Sequence, residues 1–149
     1  MGSYAKVLVG SDGSATSLLA VDRAGALAGD ANAELIIVCA YEPASKTEVQ
    51  AAAEVLKDEA YQVVGSAPAE SVLRDAADRA RSAGASKVET LAIQGPPVDV
   101  LDQAVADTGA NLLVVGNVGL NTLTGRILGS VPQSVARRSG VDVLIVHTS

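Results

Sequence analysis

Between Leu112 and Arg138 an apolar run, LLVVG, leads into a glycine-rich loop and then into a segment opened by Gly129-Ser130. Gly116, Gly119 and Gly129 give the spacing G-x2-G-x9-G-S. Glycines at such a turn let backbone N–H groups come close to a phosphate, and a helix starting at Ser130 adds its own unpaired N–H groups and partial positive charge. The candidate donors are the N–H groups from Asn117 to Gly119 and those of Gly129, Ser130 and Val131, with the Ser130 hydroxyl beside them. Ser130 can serve twice, its oxygen accepting a helix-cap bond while its hydrogen reaches a ligand. Arg126 is the one cationic side chain between Gly116 and Ser130. It either neutralises phosphate charge or is a solvated surface arginine. The bland alternative for the whole stretch is a tight structural connection.

A second constellation lies near the start, in GSDGS at residues 10–14. Asp12, with Gly13 beside it, can accept hydrogen bonds from a ribose or hold a magnesium ion bridged to phosphates. It can equally form an Asx turn that feeds the next helix. Neither loop is a Walker A sequence, since GxxxxGK[ST] is absent, and GxGxxG does not follow the first strand. Catalytic groups are sparse. The single His147 has no evident Ser or Cys partner and reads as a residue with a local role; a His/Cys zinc cluster is ruled out by one His and one Cys. No spacing of acidic residues selects a hydrolytic pair. Binding or sensing explains these residues without missing catalysts, and slow metal-dependent hydrolysis through Asp12 stays open as an alternative.

The elements that must position these loops alternate in type. KVLVG (6–10), ELIIVCA (34–40), KVETLAIQ (87–94), LLVVG (112–116) and VDVLIVHTS (141–149) read as strands. A continuous apolar run marks the second as covered on both faces, whereas the alternation in KVETLAIQ places it nearer an edge. Helices are expected over 14–28, with Ser11, Asp12 and Ser14 competing to cap and Gly29 ending it. Gly25 permits close approach to the sheet. Further helices are expected from about Ser66 to Gly84 with Glu70 in the early turn, from Pro97 to Gly109 with Asp99 in the first turn, and from Ser130 to Arg138. Residues 42–65 form a helical or flexible insertion, with a capping-box pattern from Thr47 to Gln50. This order predicts an α/β layered fold with a mostly parallel sheet. Asp12, Gly13, Ala40, Gly95 and Gly116 then fall at one edge of it, where such folds bind ligands.

The chain of 149 residues fits one domain over 1–149, and 48% hydrophobic content supports its core. With neither Phe nor Trp, packing rests on Val, Leu, Ile and Ala. A net charge of -6 argues against a nucleic-acid surface. Cys39 sits in an apolar run and reads as a buried small hydrophobe. No 18-residue apolar run suggests a membrane span and no basic-then-apolar leader is seen, so a cytoplasmic protein is expected.

KVLVGSDGS, the apolar second strand, IQGPP and LLVVGNVG…GRILGSVPQSVARRSGVDVLIVH together resemble the universal stress protein family, in its nucleotide-binding branch, over almost the whole chain. The resemblance implies a five-stranded parallel sheet of order 3-2-1-4-5 with helices on both faces. It implies a homodimer through the last strand, here Val143, Leu144, Ile145 and Val146. Asp12 corresponds to the acidic residue near ribose and adenine, and Ala40 to the position beside the base. Val38 and Gly95 are further candidates for the adenine-side wall; Gly116, Gly119, Gly129 and Ser130 match the phosphate loop. The implied ligands are ATP, AMP or cyclic AMP, with magnesium accompanying ATP. The implied role is stress response or nucleotide-linked regulation, with the protein partner unspecified. One departure matters: family loops often carry Ser-His or Ser-Arg between the first two glycines, whereas this chain has Asn117 and Val118, then Leu120. Less positive charge disfavours a triphosphate relative to a mono- or cyclic phosphate. The expectation is therefore a protein favouring AMP or cyclic AMP over ATP. The competing readings are a weak metal-dependent ATPase and an interaction module that binds no nucleotide.

Overall fold

A computed structural model describes residues 4–42, 66–117 and 140–147. The expected helices at 47–61 and 130–138, the 42–65 insertion as a unit, and the loop residues Gly119, Arg126, Gly129, Ser130 and Val131 lie outside the described residues. The elements are β1 (Lys6–Gly10), α1 (Ala15–Ala31), β2 (Glu34–Tyr41), α2 (Ser66–Ala83), β3 (Lys87–Gln94), α3 (Pro97–Thr108), β4 (Leu112–Gly116) and β5 (Asp142–Val146). The five strands form one sheet in the order β3-β2-β1-β4-β5, and every neighbouring pair is parallel.

Strand pleating divides the apolar residues between two cores. Val7, Val9, Leu35, Ile37, Cys39, Leu112 and Val114 face one side, under α1 and α2. Leu8, Ile36, Val38, Leu113 and Val115 face the other, with Val100, Leu101, Ala104 and Val105 of α3. Burying each of these Val, Leu or Ile side chains stabilises the fold by roughly 1.5–3 kcal/mol before chain entropy is counted. Because β1, β2 and β4 are covered on both faces, they tolerate no polar alternation. The edge strand β3 does, with Glu89 and Thr90 exposed.

Helix α1 begins where Ser14 caps it, the hydroxyl accepting from the Ser17 N–H at 3.2 Å. It does not end at Gly29. The helix runs on to Ala31, and Asn32 takes the left-handed C-cap with φ 54°. Gly29 instead admits a neighbouring chain, since a Cβ there would collide with the backbone carbonyl of Gly84, at the end of α2. Gly25 likewise approaches α2 rather than the sheet, because its Cβ would lie 2.7 Å from the Ala80 carbonyl oxygen. The two glycines let α1 and α2 pack backbone to backbone over one face. An Arg79–Asp22 ion pair bridges the same helices at the surface, and α2 carries no acidic residue in its first turn, Glu70 lying just beyond it.

Pro96 and Pro97 open α3, with Asp99 in the first turn, and Gly109 ends it at φ 75°. At the amino ends of the strands, Lys6 Nζ donates to the Thr108 carbonyl at 3.0 Å and Tyr4 donates its hydroxyl to Asp142 at 2.9 Å. That bond to a carboxylate raises the Tyr4 pKa above its ordinary value. No described helix is long and apolar enough to cross a membrane.

Candidate functional site

All five strands run the same way, so their carboxyl ends share one edge. The chain lays β2 and then β3 to one side of β1 before returning to place β4 on the other. The reversal makes the ends of β1 and β4 a topological switch point, the usual ligand position in open parallel sheets. Asp12 and Gly13 follow β1, and Gly116 and Asn117 close β4, so these four residues flank the switch point. Ala40 and Tyr41 end β2 beside β1, and Gly95 follows β3.

The loop after β1 is fastened by short bonds. The Ser11 N–H donates to the Val38 carbonyl at 2.9 Å, which extends the β1–β2 ladder past the strand end. The buried Ser11 hydroxyl lies 3.0 Å from that of Ser17 and accepts the Gly13 N–H at 3.2 Å. Asp12 Oδ1 accepts both the Ser14 N–H, at 3.0 Å, and the Ser14 hydroxyl, at 2.7 Å. Asp12 thus forms the Asx turn weighed against a ligand role, and that turn engages Oδ1 alone. Gly13 is exposed at φ 85°, a left-handed conformation that favours glycine.

The other residues expected from sequence border the same edge or support it. Val38 is buried at 1% exposure in the core beneath α3, and its carbonyl anchors Ser11. Ala40 is half-buried on the same face. Gly95 has φ 140°, and its N–H donates to the Tyr41 carbonyl at 3.0 Å. The Asn117 N–H donates to the Val146 carbonyl at 2.8 Å, continuing the β4–β5 ladder. That N–H is therefore spoken for, and backbone donation to a phosphate from this loop has to begin beyond it. The Asn117 side-chain amide nitrogen lies 3.4 Å from His147 Nδ1, which gives the lone histidine its local partner.

Sequence reading missed the supporting roles of Ser11 and Ser17, and of Val72 and Leu101, whose side chains stand 3.0 Å from where a Cβ on Gly13 and on Gly10 would lie. A serine-rich stretch after β1 was visible, but contacts to α2 and α3 are tertiary and leave no local mark. Cys39 is fully buried, as expected of a small hydrophobe; burial first and the Asp12 charge second push its thiol up to about 11. No group of three His, Cys, Asp or Glu among the described residues could hold a metal. One carboxylate, that of Asp12, fits magnesium only in its usual phosphate-bridged form. A surface groove between α1 and α2, lined by Asp22, Asp78, Arg79, Ser82 and Ala83, contains none of the expected residues.

Comparison with known proteins places this arrangement in context. The model of the universal stress protein family matches residues 3–147. Universal stress protein Rv1636 of Mycobacterium tuberculosis H37Rv is 54% identical over 149 residues, covering 100% of both chains. A solved universal stress protein in complex with cAMP is 49% identical, with TM-score 0.76 and 98% of each chain covered. The crystal structure of Rv1636 is 46% identical, with TM-score 0.63 over 100% of this chain and 99% of that one.

Proposed function

The chain belongs to the universal stress protein family, and from that premise we propose that it is an adenine-nucleotide-binding regulatory protein favouring AMP or cyclic AMP over ATP. The observation that carries this reading is its 49% identity, across 98% of both chains, to a universal stress protein solved with cAMP. The placement of Asp12 and of Gly116-Asn117 on either side of the β1–β4 switch point supports it.

In this reading Asp12 accepts a ribose hydroxyl, and Gly13 supplies the left-handed backbone of the turn beside it. Ala40 and Gly95 border the base, with Val38 supporting them from the core. Gly116, Asn117, Gly119, Gly129, Ser130 and Val131 surround the phosphate, and Arg126 is its one nearby cation. A single arginine and no lysine between Gly116 and Ser130 suit one or two negative charges better than four. Were ATP bound with magnesium, Asp12 is the residue that would help hold the ion, which would supply neutralisation of phosphate charge. The protein acts in the cytoplasm as a homodimer joined through Val143, Leu144, Ile145 and Val146 of β5, in stress response or nucleotide-linked regulation.

Calorimetric titration of nucleotide-stripped protein with AMP, cyclic AMP and ATP, the last with and without magnesium, tests the reading. Saturable binding of the mono- and cyclic phosphates, tighter than ATP, is expected. Tighter ATP binding overturns the preference, and no heat with any of the three at millimolar concentration overturns nucleotide binding itself.

A further inference from the structure

The turn carrying Asp12 is hydrogen-bonded within itself and into α1, and its outer faces are held by packing at two glycines that bracket it. A Cβ on Gly10 would lie 3.0 Å from a δ-carbon of Leu101 in α3. A Cβ on Gly13 would lie 3.0 and 3.4 Å from the two γ-carbons of Val72 in α2. The two helices cover opposite faces of the sheet. The Asp12 loop is therefore gripped from both sides, directly against backbone, with no side chain at either glycine to absorb movement.

The two jaws differ. Leu101 is buried and belongs to the core of its own face. Val72 is half-buried at the rim of the other core, while its neighbours Ala69, Leu73 and Ala76 are buried and fix α2 to it. A β-branched side chain on a helix has one strongly preferred rotamer, so the position of the Val72 methyls follows that of the α2 backbone. Those methyls meet the one residue of the loop that has a left-handed φ.

We propose that Val72 is a positioning residue for the nucleotide site, seating Gly13 so that the adjacent Asp12 carboxylate is held at the sugar; this rests on the nucleotide-binding reading above. Asp12 Oδ1 is committed to Ser14. The carboxylate cannot swing to follow a ligand without breaking its own turn, and its aim is set by where the turn sits. Trimming Val72 frees the turn and loosens the sugar contact. The phosphate contacts proposed above do not pass through this turn and are kept.

The test compares cyclic AMP with its 2′-deoxy analogue, which lacks the one free ribose hydroxyl. In the wild type the ribose form binds more tightly. Val72→Ala is expected to reduce that ratio about tenfold, the size of one charge-assisted hydrogen bond, with little change for the deoxy form. Val72→Thr keeps the branched shape and restores the ratio. Val72→Leu adds a methylene and so leaves no cavity, while moving the branch point off Gly13; it lowers the ratio without the packing loss of the Ala variant. Amide exchange at Gly13 and Ser14 rises in the Ala and Leu variants while exchange at Val114 and Val115 does not. Equal weakening of both ligands, or an unchanged ratio, overturns the role of Val72 and leaves nucleotide binding standing. A wild type that binds neither ligand overturns both.

Discussion

Asp12 and Ser14 are joined twice through a single oxygen: Oδ1 of the aspartate accepts the serine N–H at 3.0 Å and the serine hydroxyl at 2.7 Å. The same serine hydroxyl accepts the Ser17 N–H and so caps α1. Site geometry and helix start are thus one hydrogen-bonded unit, and substitutions at its two ends separate their effects. Ser14→Ala removes the cap and one of the two bonds and should destabilise the fold by about 1 kcal/mol, read as a lower urea midpoint. Asp12→Asn retains an Asx-turn acceptor and should stay within about 0.5 kcal/mol of the wild type. It exchanges a charged acceptor for a neutral one and should weaken cyclic AMP about tenfold. Equal stability losses in the two variants would show that the carboxylate charge, rather than the turn, organises this loop.

The α1–α2 contact gives a prediction with an unexpected sign. Glycine to alanine inside a helix ordinarily stabilises by about 1 kcal/mol. At Gly25 the added methyl would stand 2.7 Å from the Ala80 carbonyl oxygen and 3.0 Å from its Cα. Backbone cannot rotate away as a side-chain tip can, and the helices must separate. Gly25→Ala should therefore cost roughly 1–3 kcal/mol net, measured by chemical denaturation. A neutral or stabilised variant would mean that the two helices have room between them that a 2.7 Å approach denies.

This contact also shows where sequence reading stopped. Gly29 reads as a helix terminator because nothing local distinguishes a C-terminal glycine from one that admits a neighbouring backbone. The distinction is made by Gly84, more than fifty residues later. By contrast, β3 was legible to the residue over 87–94, since a polar–apolar alternation bounded by Ser86 and Gly95 is a local property. The edge position of β3 followed from the same alternation. Strand order was not readable from pattern and entered through the family resemblance. Of the site, the gathering of Asp12, Ala40, Gly95 and Gly116 at one edge followed from parallel topology alone. The commitment of the Asn117 N–H to Val146 did not, because ladder register depends on how β4 and β5 align.

Cys39 predicts a pH dependence of stability. Its side chain is fully buried and its thiol is pushed from 9.0 up to about 11, by burial first and then by the nearby Asp12 charge. Between these two values the unfolded chain has lost a proton that the folded chain keeps. Stability from this group is therefore complete below pH 9 and falls as pH rises toward 11, by an amount on the order of 2 to 3 kcal/mol. Cys39→Ala should flatten that decline relative to the wild type in denaturation series at pH 8, 9, 10 and 11, each taken under reducing conditions. Thiol reagents at pH 8 should react slowly with the native protein and promptly once it is unfolded. Rapid native reaction would contradict a buried, protonated thiol.

The last prediction concerns β5, which ends the sheet opposite β3. Val143 and Ile145 are half-buried on the α3 side of the sheet, and Leu144 and Val146 pack toward α1 and α2. An outermost strand with apolar residues on both faces and no central charge invites pairing with a second strand. Two identical strands can meet about a twofold axis, each supplying the same residues to the other. A carboxylate at Val143 or Ile145 would then be doubled across the axis and desolvated on pairing. Val143→Asp and Ile145→Asp should shift the sedimenting species from dimer to monomer, while Thr90→Asp on the opposite edge leaves the dimer intact. Circular dichroism checks that each variant remains folded. A folded Val143→Asp protein that still sediments as a dimer would move the subunit contact away from β5.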